Sequence, residues 1–174
     1  MITYSREKAD QKGKVKMKKK ALRFGCAVSL FLAVSAGPGL LFAQSNAVID
    51  DILAGEEMSY GHAVYILGVA EGSIPERMSV ADAHRQSQAD GLYFGYERED
   101  PVNLGEFSLM VMESFDIPGG LMYNLLPSPR YAARELAFRN IVQGEAYPRM
   151  AISGERAMRI IGRVLALQEE GRLR

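Results

Sequence analysis

Cysteine occurs once in this chain of 174 residues, at Cys26, and histidine only twice, at His62 and His84. One cysteine excludes an intrachain disulfide. Two histidines 22 positions apart, with no His-Glu-x-x-His pair and no cysteine ligands beside them, argue against zinc. No Gly-x-Ser-x-Gly elbow and no glycine loop of the phosphate-cradling kind is present. Acidic residues are numerous, so counting alone does not exclude a carboxylate pair for glycoside hydrolysis. Such a pair normally lines a deep cleft, which a short helical chain has little material to build. The expectation is a protein without a catalytic centre and without a cofactor.

Long apolar runs are also missing. The stretch from Cys26 falls short of the roughly 20 residues needed to cross a bilayer and is followed by Pro38 and Gly39. Its context, "MKKKALRFGCAVSLFLAVSAGPGLLFAQS", has the basic start, apolar centre and small residue of a secretory signal, with cleavage expected after Ala43 and the peptide extended there by the helix breakers. Met17 is an alternative translation start. Cys26 lies at the front of the apolar stretch, where a lipid-attachment cysteine would not be, and reads as an ordinary signal residue. The division is a signal peptide over 1–43 and one domain over 44–174, exported to the periplasm or cell envelope without a retained membrane span.

Removing the leader exposes a further lack. All lysines fall in residues 1–43, and the remaining chain carries 12 arginines against 19 acidic residues, a net of about −7. That sign excludes nucleic acid as the main partner, because there is no excess of cations to displace counterions from phosphates.

What is present is a recurring phrase. "MSYGHAVYILGVA" from Met58, "VNLGEFSLMVMESF" from Val102 and "ISGERAMRIIGRVL" from Ile152 each run from an apolar lead-in through Ser or Asn to an apolar face of helical period. The faces are Ala63, Ile66, Leu67 and Ala70; Phe107, Met110, Val111 and Phe115; Ala157, Ile160, Ile161 and Val164. Starts 44 and 50 residues apart suggest a repeat whose units share one core. A second helix type precedes the later two units: "SVADAHRQSQADGLYFG" is expected to end at Gly95 and "PRYAARELAFRNIVQG" at Gly144. Ser79 with Asp82 reads as a capping box and Pro129 as a first-turn proline. Beyond a hint of a strand in "LYFGY", the chain reads as all-α: helix-loop-helix repeats packed around a shared core.

These phrases resemble the surface-layer homology (SLH) repeat, in which a helix ending near glycine is followed by a loop and a helix opening on Ile-Thr-Arg-Ala-Glu. The resemblance covers about 58–167, with two fairly complete units and an earlier partial one. It implies a pseudo-threefold arrangement and non-catalytic binding of peptidoglycan or an associated wall polysaccharide in grooves between units. The family's Thr corresponds to Ser59, Asn103 and Ser153, its Arg to Tyr60, Leu104 and Gly154, and its Glu to His62, Glu106 and Arg156. None keeps the cation, and only the middle unit keeps the acid. The alternative function is an envelope adaptor for another protein that has lost the glycan site.

The candidate ligand-binding residues are Asn103, Glu106, Arg149, Ser153, Glu155 and Arg156, in or beside the loops. Asn103 with Glu106 also fits a plain capping box. Arg98, Arg149 and Arg156, with Tyr96 and Tyr147 nearby, could fork onto a sugar acid and stack on a sugar face, or serve only as surface ion pairs. Leu109, Met112, Leu121, Met122 and Tyr123 exceed what one helix face buries. They mark either a central helix or a patch for a partner protein.

Overall fold

The computed structural model describes residues 39–91 and 95–173. Among them it is mainly helical and contains no strand. The helices are α1 (Gly39–Ala54), α2 (Tyr60–Glu71), α3 (Val80–Ala89), α4 (Leu104–Ser114), α5 (Leu121–Leu125), α6 (Pro129–Phe138) and α7 (Gly154–Glu169). A compact unit spans Gln44–Arg174. The leader lies outside the described residues except for Gly39–Ala43, which form the first turns of α1 and are helical where the sequence suggested extended chain. No helix among the described residues is long and apolar enough to cross a membrane.

The recurring phrase does produce similar helix starts. Ser59 accepts a hydrogen bond from the His62 N–H at 3.4 Å, and Ser153 accepts one from the Arg156 N–H at 3.3 Å. Asn103 accepts from the Glu106 N–H at 3.0 Å while the Glu106 carboxylate accepts from the Asn103 N–H at 3.1 Å, a complete capping box. Each cap satisfies an amide that the first helical turn leaves unpaired, contributing about 1 kcal/mol. Ser79 caps α3 through the Asp82 N–H at 3.1 Å, and Pro129 occupies the first turn of α6.

The second helix type is shorter than its glycine spacing suggests. α3 stops at Ala89 and α6 at Phe138, well before Gly95 and Gly144. After α6 the chain turns at Asn140, whose φ is 59°, and the Ile141 N–H bonds back to the Leu136 carbonyl at 2.9 Å. Ile141 and Val142 thereby enter the core after the helix has ended. A left-handed turn at asparagine, rather than the later glycine, closes this helix.

α4 explains the excess of apolar residues in the middle unit. Leu104, Phe107, Met110, Val111 and Met112 are all buried, over more than half of the helix circumference, and Glu113 is exposed on the remaining face. So wide an apolar face suits a helix packed on more than one neighbour. α4 packs on α6 and α2, and α2 packs in turn on α3 and α7. α7 is one-sided, burying Ala157, Ile160, Ile161 and Val164. Leu121 and Met122 do not join this core and are exposed on α5.

The three lead-ins meet through their backbones. The Met58 N–H donates to the Ile152 carbonyl at 2.8 Å, and the Val102 N–H donates to the Met58 carbonyl at 2.8 Å. Met58, Val102 and Ile152 are buried. Isolated antiparallel bridges, Ser59 with Pro101 and Asn103 with Ala151, flank these bonds. Each is a single pair, too short to alternate over a strand's length, so no strand pattern marks it in the sequence.

The two phenylalanines of α4 and α6 test this assignment. Phe107→Ala should cost about 3–5 kcal/mol in urea unfolding, whereas Phe138→Ala, at a site 84 % exposed, should change stability by no more than about 0.5 kcal/mol. Equal costs would contradict the packing.

Candidate functional site at the helix openings

Two helix openings are covered by loops in the same manner. At α4 the Leu104 N–H donates to the Met150 carbonyl at 2.9 Å and the Gly105 N–H to the Pro148 carbonyl at 2.7 Å. At α2 the Tyr60 N–H donates to the Asp100 carbonyl at 2.9 Å and the Gly61 N–H to the Arg98 carbonyl at 2.9 Å. In both, two successive first-turn amides are satisfied by carbonyls two residues apart on the covering loop. The glycine is what permits the approach. A Cβ on Gly105 would lie 3.0 Å from the Pro148 oxygen and 3.1 Å from Pro129, and one on Gly61 would lie 3.1 Å from the Arg98 oxygen and from Val80.

α7 opens differently. Gly154 is its first residue, and a Cβ there would collide with the carbonyl of Ile52 near the end of α1. The acidic stretch "DDILAGEE" is thus helical through Ala54, and its Ile52, 2 % exposed, lies against the third opening.

The candidate residues separate into those used internally and those left at the surface. Asn103 and Glu106 cap α4, and Ser153 caps α7. The Arg156 guanidinium donates to the carbonyls of Gln143, at 3.2 Å, and Glu145, so it braces the loop that covers α4. Glu155 is exposed and faces Arg159 at 3.7 Å along the helix. Arg149 is exposed and lies on the covering loop between its two bonded residues, Pro148 and Met150. The α4 opening therefore gathers Asn103, Glu106 and Arg149, with Arg156 holding the covering loop, whereas Ser153 stays at the α7 opening and Glu155 faces Arg159.

At the α2 opening, Tyr96 stacks on Tyr60 with ring centroids 4.1 Å apart. One Tyr96 face is thereby occupied, while Tyr147 remains 70 % exposed. Burial above all, then Tyr96 and Glu106, pushes the Tyr60 hydroxyl far above the ordinary tyrosine range. Tyr60, Leu104 and Gly154, each directly after a capping residue, are all buried. These positions present nothing to a ligand.

Beside this opening lies a cavity of about 690 Å³ whose polar lining comes from Asp51, Glu57, Ser59, His62, Arg98 and Glu99. His62 Nε2 stands 3.2 Å from Asp51 Oδ2. Arg98 hydrogen-bonds Glu99 and holds its carboxyl below the usual glutamate range. Of these residues the sequence singled out Ser59 and His62 by motif position and Arg98 by loop position. Asp51, Glu57 and Glu99 carried no motif; only their nearness to the first repeat phrase could have raised them. No cluster of metal ligands occurs among the described residues.

The fold and site together define a mainly helical domain whose polar surface residues collect on loops laid across helix starts. Comparison with family models, curated proteins and solved structures gave no match.

Two expectations follow. Arg156→Ala should lower stability by about 1 kcal/mol, since it removes bonds to loop carbonyls, whereas Arg149→Ala should leave urea unfolding unchanged within about 0.5 kcal/mol. The second concerns alkaline pH. Because the folded Tyr60 hydroxyl keeps its proton above the unfolded value of about 10, stability is full below that value and falls as pH rises past it. Tyr60→Phe should make this decline shallower in unfolding measured from neutral to alkaline pH; an unchanged slope would contradict the assignment.

Proposed function

We propose that this chain is an exported cell-envelope protein with degenerate SLH-like repeats that binds a cell-wall polymer, peptidoglycan or an associated polysaccharide, without catalysis. The observation that carries the reading is the repeated covering of helix starts at α2 and α4, with the same pair of first-turn amides bonded to a loop each time. It supports the kinship of the units that the resemblance rests on, and extending that kinship to α7 and to a pseudo-threefold arrangement is part of the proposal. In this reading the ligand lies in the cavity beside α2 and along the loop over α4. Asp51, Glu57 and Glu99 accept hydrogen bonds from sugar hydroxyls or amides there. Arg98, His62 and Arg149 donate, and the exposed ring of Tyr147 offers a stacking face. A mixed polar lining of this kind suits a polyhydroxylated ligand carrying acid or amide groups.

One observation favours the second reading, an adaptor that binds an envelope protein. Tyr60, Leu104 and Gly154 are buried where the repeat family carries its arginine, so the scaffold can persist without the glycan contact.

Cosedimentation with purified peptidoglycan sacculi tests the first reading. Native protein should pellet, and Arg98→Ala and Arg149→Ala should each weaken retention several-fold with unfolding curves unchanged. Native protein left in the supernatant would overturn wall binding, and recovery of one dominant protein partner by crosslinking in intact cells would favour the adaptor.

A further inference from the structure

The edge formed by α5 and α6 is unlike the rest of the domain. Leu121, Met122, Leu125, Leu126 and Phe138 are 57–84 % exposed, and they make up most of the large exposed apolar side chains among the described residues. Gly119 and Gly120 precede this apolar run and Pro127 and Pro129 follow it. A cavity of about 300 Å³ between the two helices is lined by Leu121, Met122 and Tyr123 from one side and Tyr131, Arg134 and Phe138 from the other. Leu121 and Met122 of the short apolar helix and Phe138 of α6 therefore share one cavity, and Leu125 and Leu126 continue the apolar run along the chain.

Charge on this edge opposes that of the whole. Residues 117–142 hold three arginines and one glutamate, in a domain with a net of about −7. Glu135 is already committed: its carboxylate accepts from the Gly120 N–H at 3.1 Å and pairs with Arg139 at 3.0 Å. Arg130 and Arg134 are exposed, have no carboxylate partner among the described residues, and lie with Phe138 along one line of α6 at four-residue spacing.

We propose that the α5–α6 edge docks the protein peripherally on an anionic lipid surface, with Leu121, Met122, Leu125, Leu126 and Phe138 entering the headgroup boundary and Arg130 and Arg134 facing lipid phosphates. Apolar side chains flanked by arginine suit the boundary between headgroups and acyl chains, where the guanidinium reaches phosphate while its stem lies on apolar surface. The acidic remainder of the domain is repelled by the same surface, which fixes the orientation. A second copy is the poorer occupant, because a twofold contact through this edge would bring Arg130 and Arg134 of both copies together. The site is separate from the cavity at α2 and does not depend on wall binding.

The chain contains no tryptophan, so Leu125→Trp provides a reporter confined to this edge even in the full-length protein. Its emission should shift to the blue on adding phosphatidylglycerol–phosphatidylcholine vesicles and be quenched by brominated acyl chains. Pure phosphatidylcholine should require at least about tenfold more lipid, and Arg130→Glu with Arg134→Glu should abolish that preference. Emission that stays solvent-like while the protein sediments with vesicles would overturn the proposal, because contact would then be made elsewhere. A blue shift that appears without lipid as protein concentration rises would overturn it in favour of self-association. A blue shift produced only by an envelope protein extract would do so in favour of a protein partner.

Discussion

The peptide at Met58 is the constraint from which the rest of this structure follows. Its N–H is bonded to Ile152 and its carbonyl to Val102, so one residue ties the starts of three helices that are far apart in sequence. All three lead-in side chains are buried, and water cannot replace either bond without opening the core. From these starts α2 and α4 run into the core, and both bury wide apolar faces. α3 and α6 then cover them from outside with one buried face each.

The same arrangement governs what the openings can do chemically. A side chain that satisfies a first-turn amide is not free to recognise a ligand with the same atoms, and Asn103, Glu106 and Ser153 are all used in this way. Arg156 is likewise drawn into holding the loop above α4. Polar groups left for recognition are those the backbone bonds do not require: Arg149 and Tyr147 on one loop, and the cavity lined by Asp51, His62 and Arg98 at the other opening. In the wall-binding proposal the ligand contacts come from these groups rather than from the capping atoms of Asn103, Glu106 and Ser153.

Much of the fold was legible because it depends on local signals. Helical periodicity placed α2, α4 and α7, and Ser59, Asn103 and Ser153 marked their first turns through bonds spanning only three residues. The apolar excess left a central helix and an exposed patch both open: Met112 is buried in α4, whereas Leu121 and Met122 stay exposed on α5. Helix ends were less legible: a glycine can take positive φ, but Asn140 did so first, and Ile141 was pulled back to Leu136 by the core. The cavity was hardest to foresee, because it joins the end of α1 to the loop after α3. Asp51 and Glu99 are 48 positions apart, and a spacing rule has no purchase on such a pair. "LYFGY" falls largely on residues 92–94, outside the described residues.

Native-state amide hydrogen exchange at Met58, Val102 and Leu104 is the most direct measurement of the central tie. If one backbone junction holds the three openings together, these amides exchange only through global unfolding, with the same free energy as the Phe107 and Met110 amides inside α4. Exchange at Met58 or Val102 through a local opening, with a free energy several kcal/mol below that of the α4 interior, would show that the helices hold together without it.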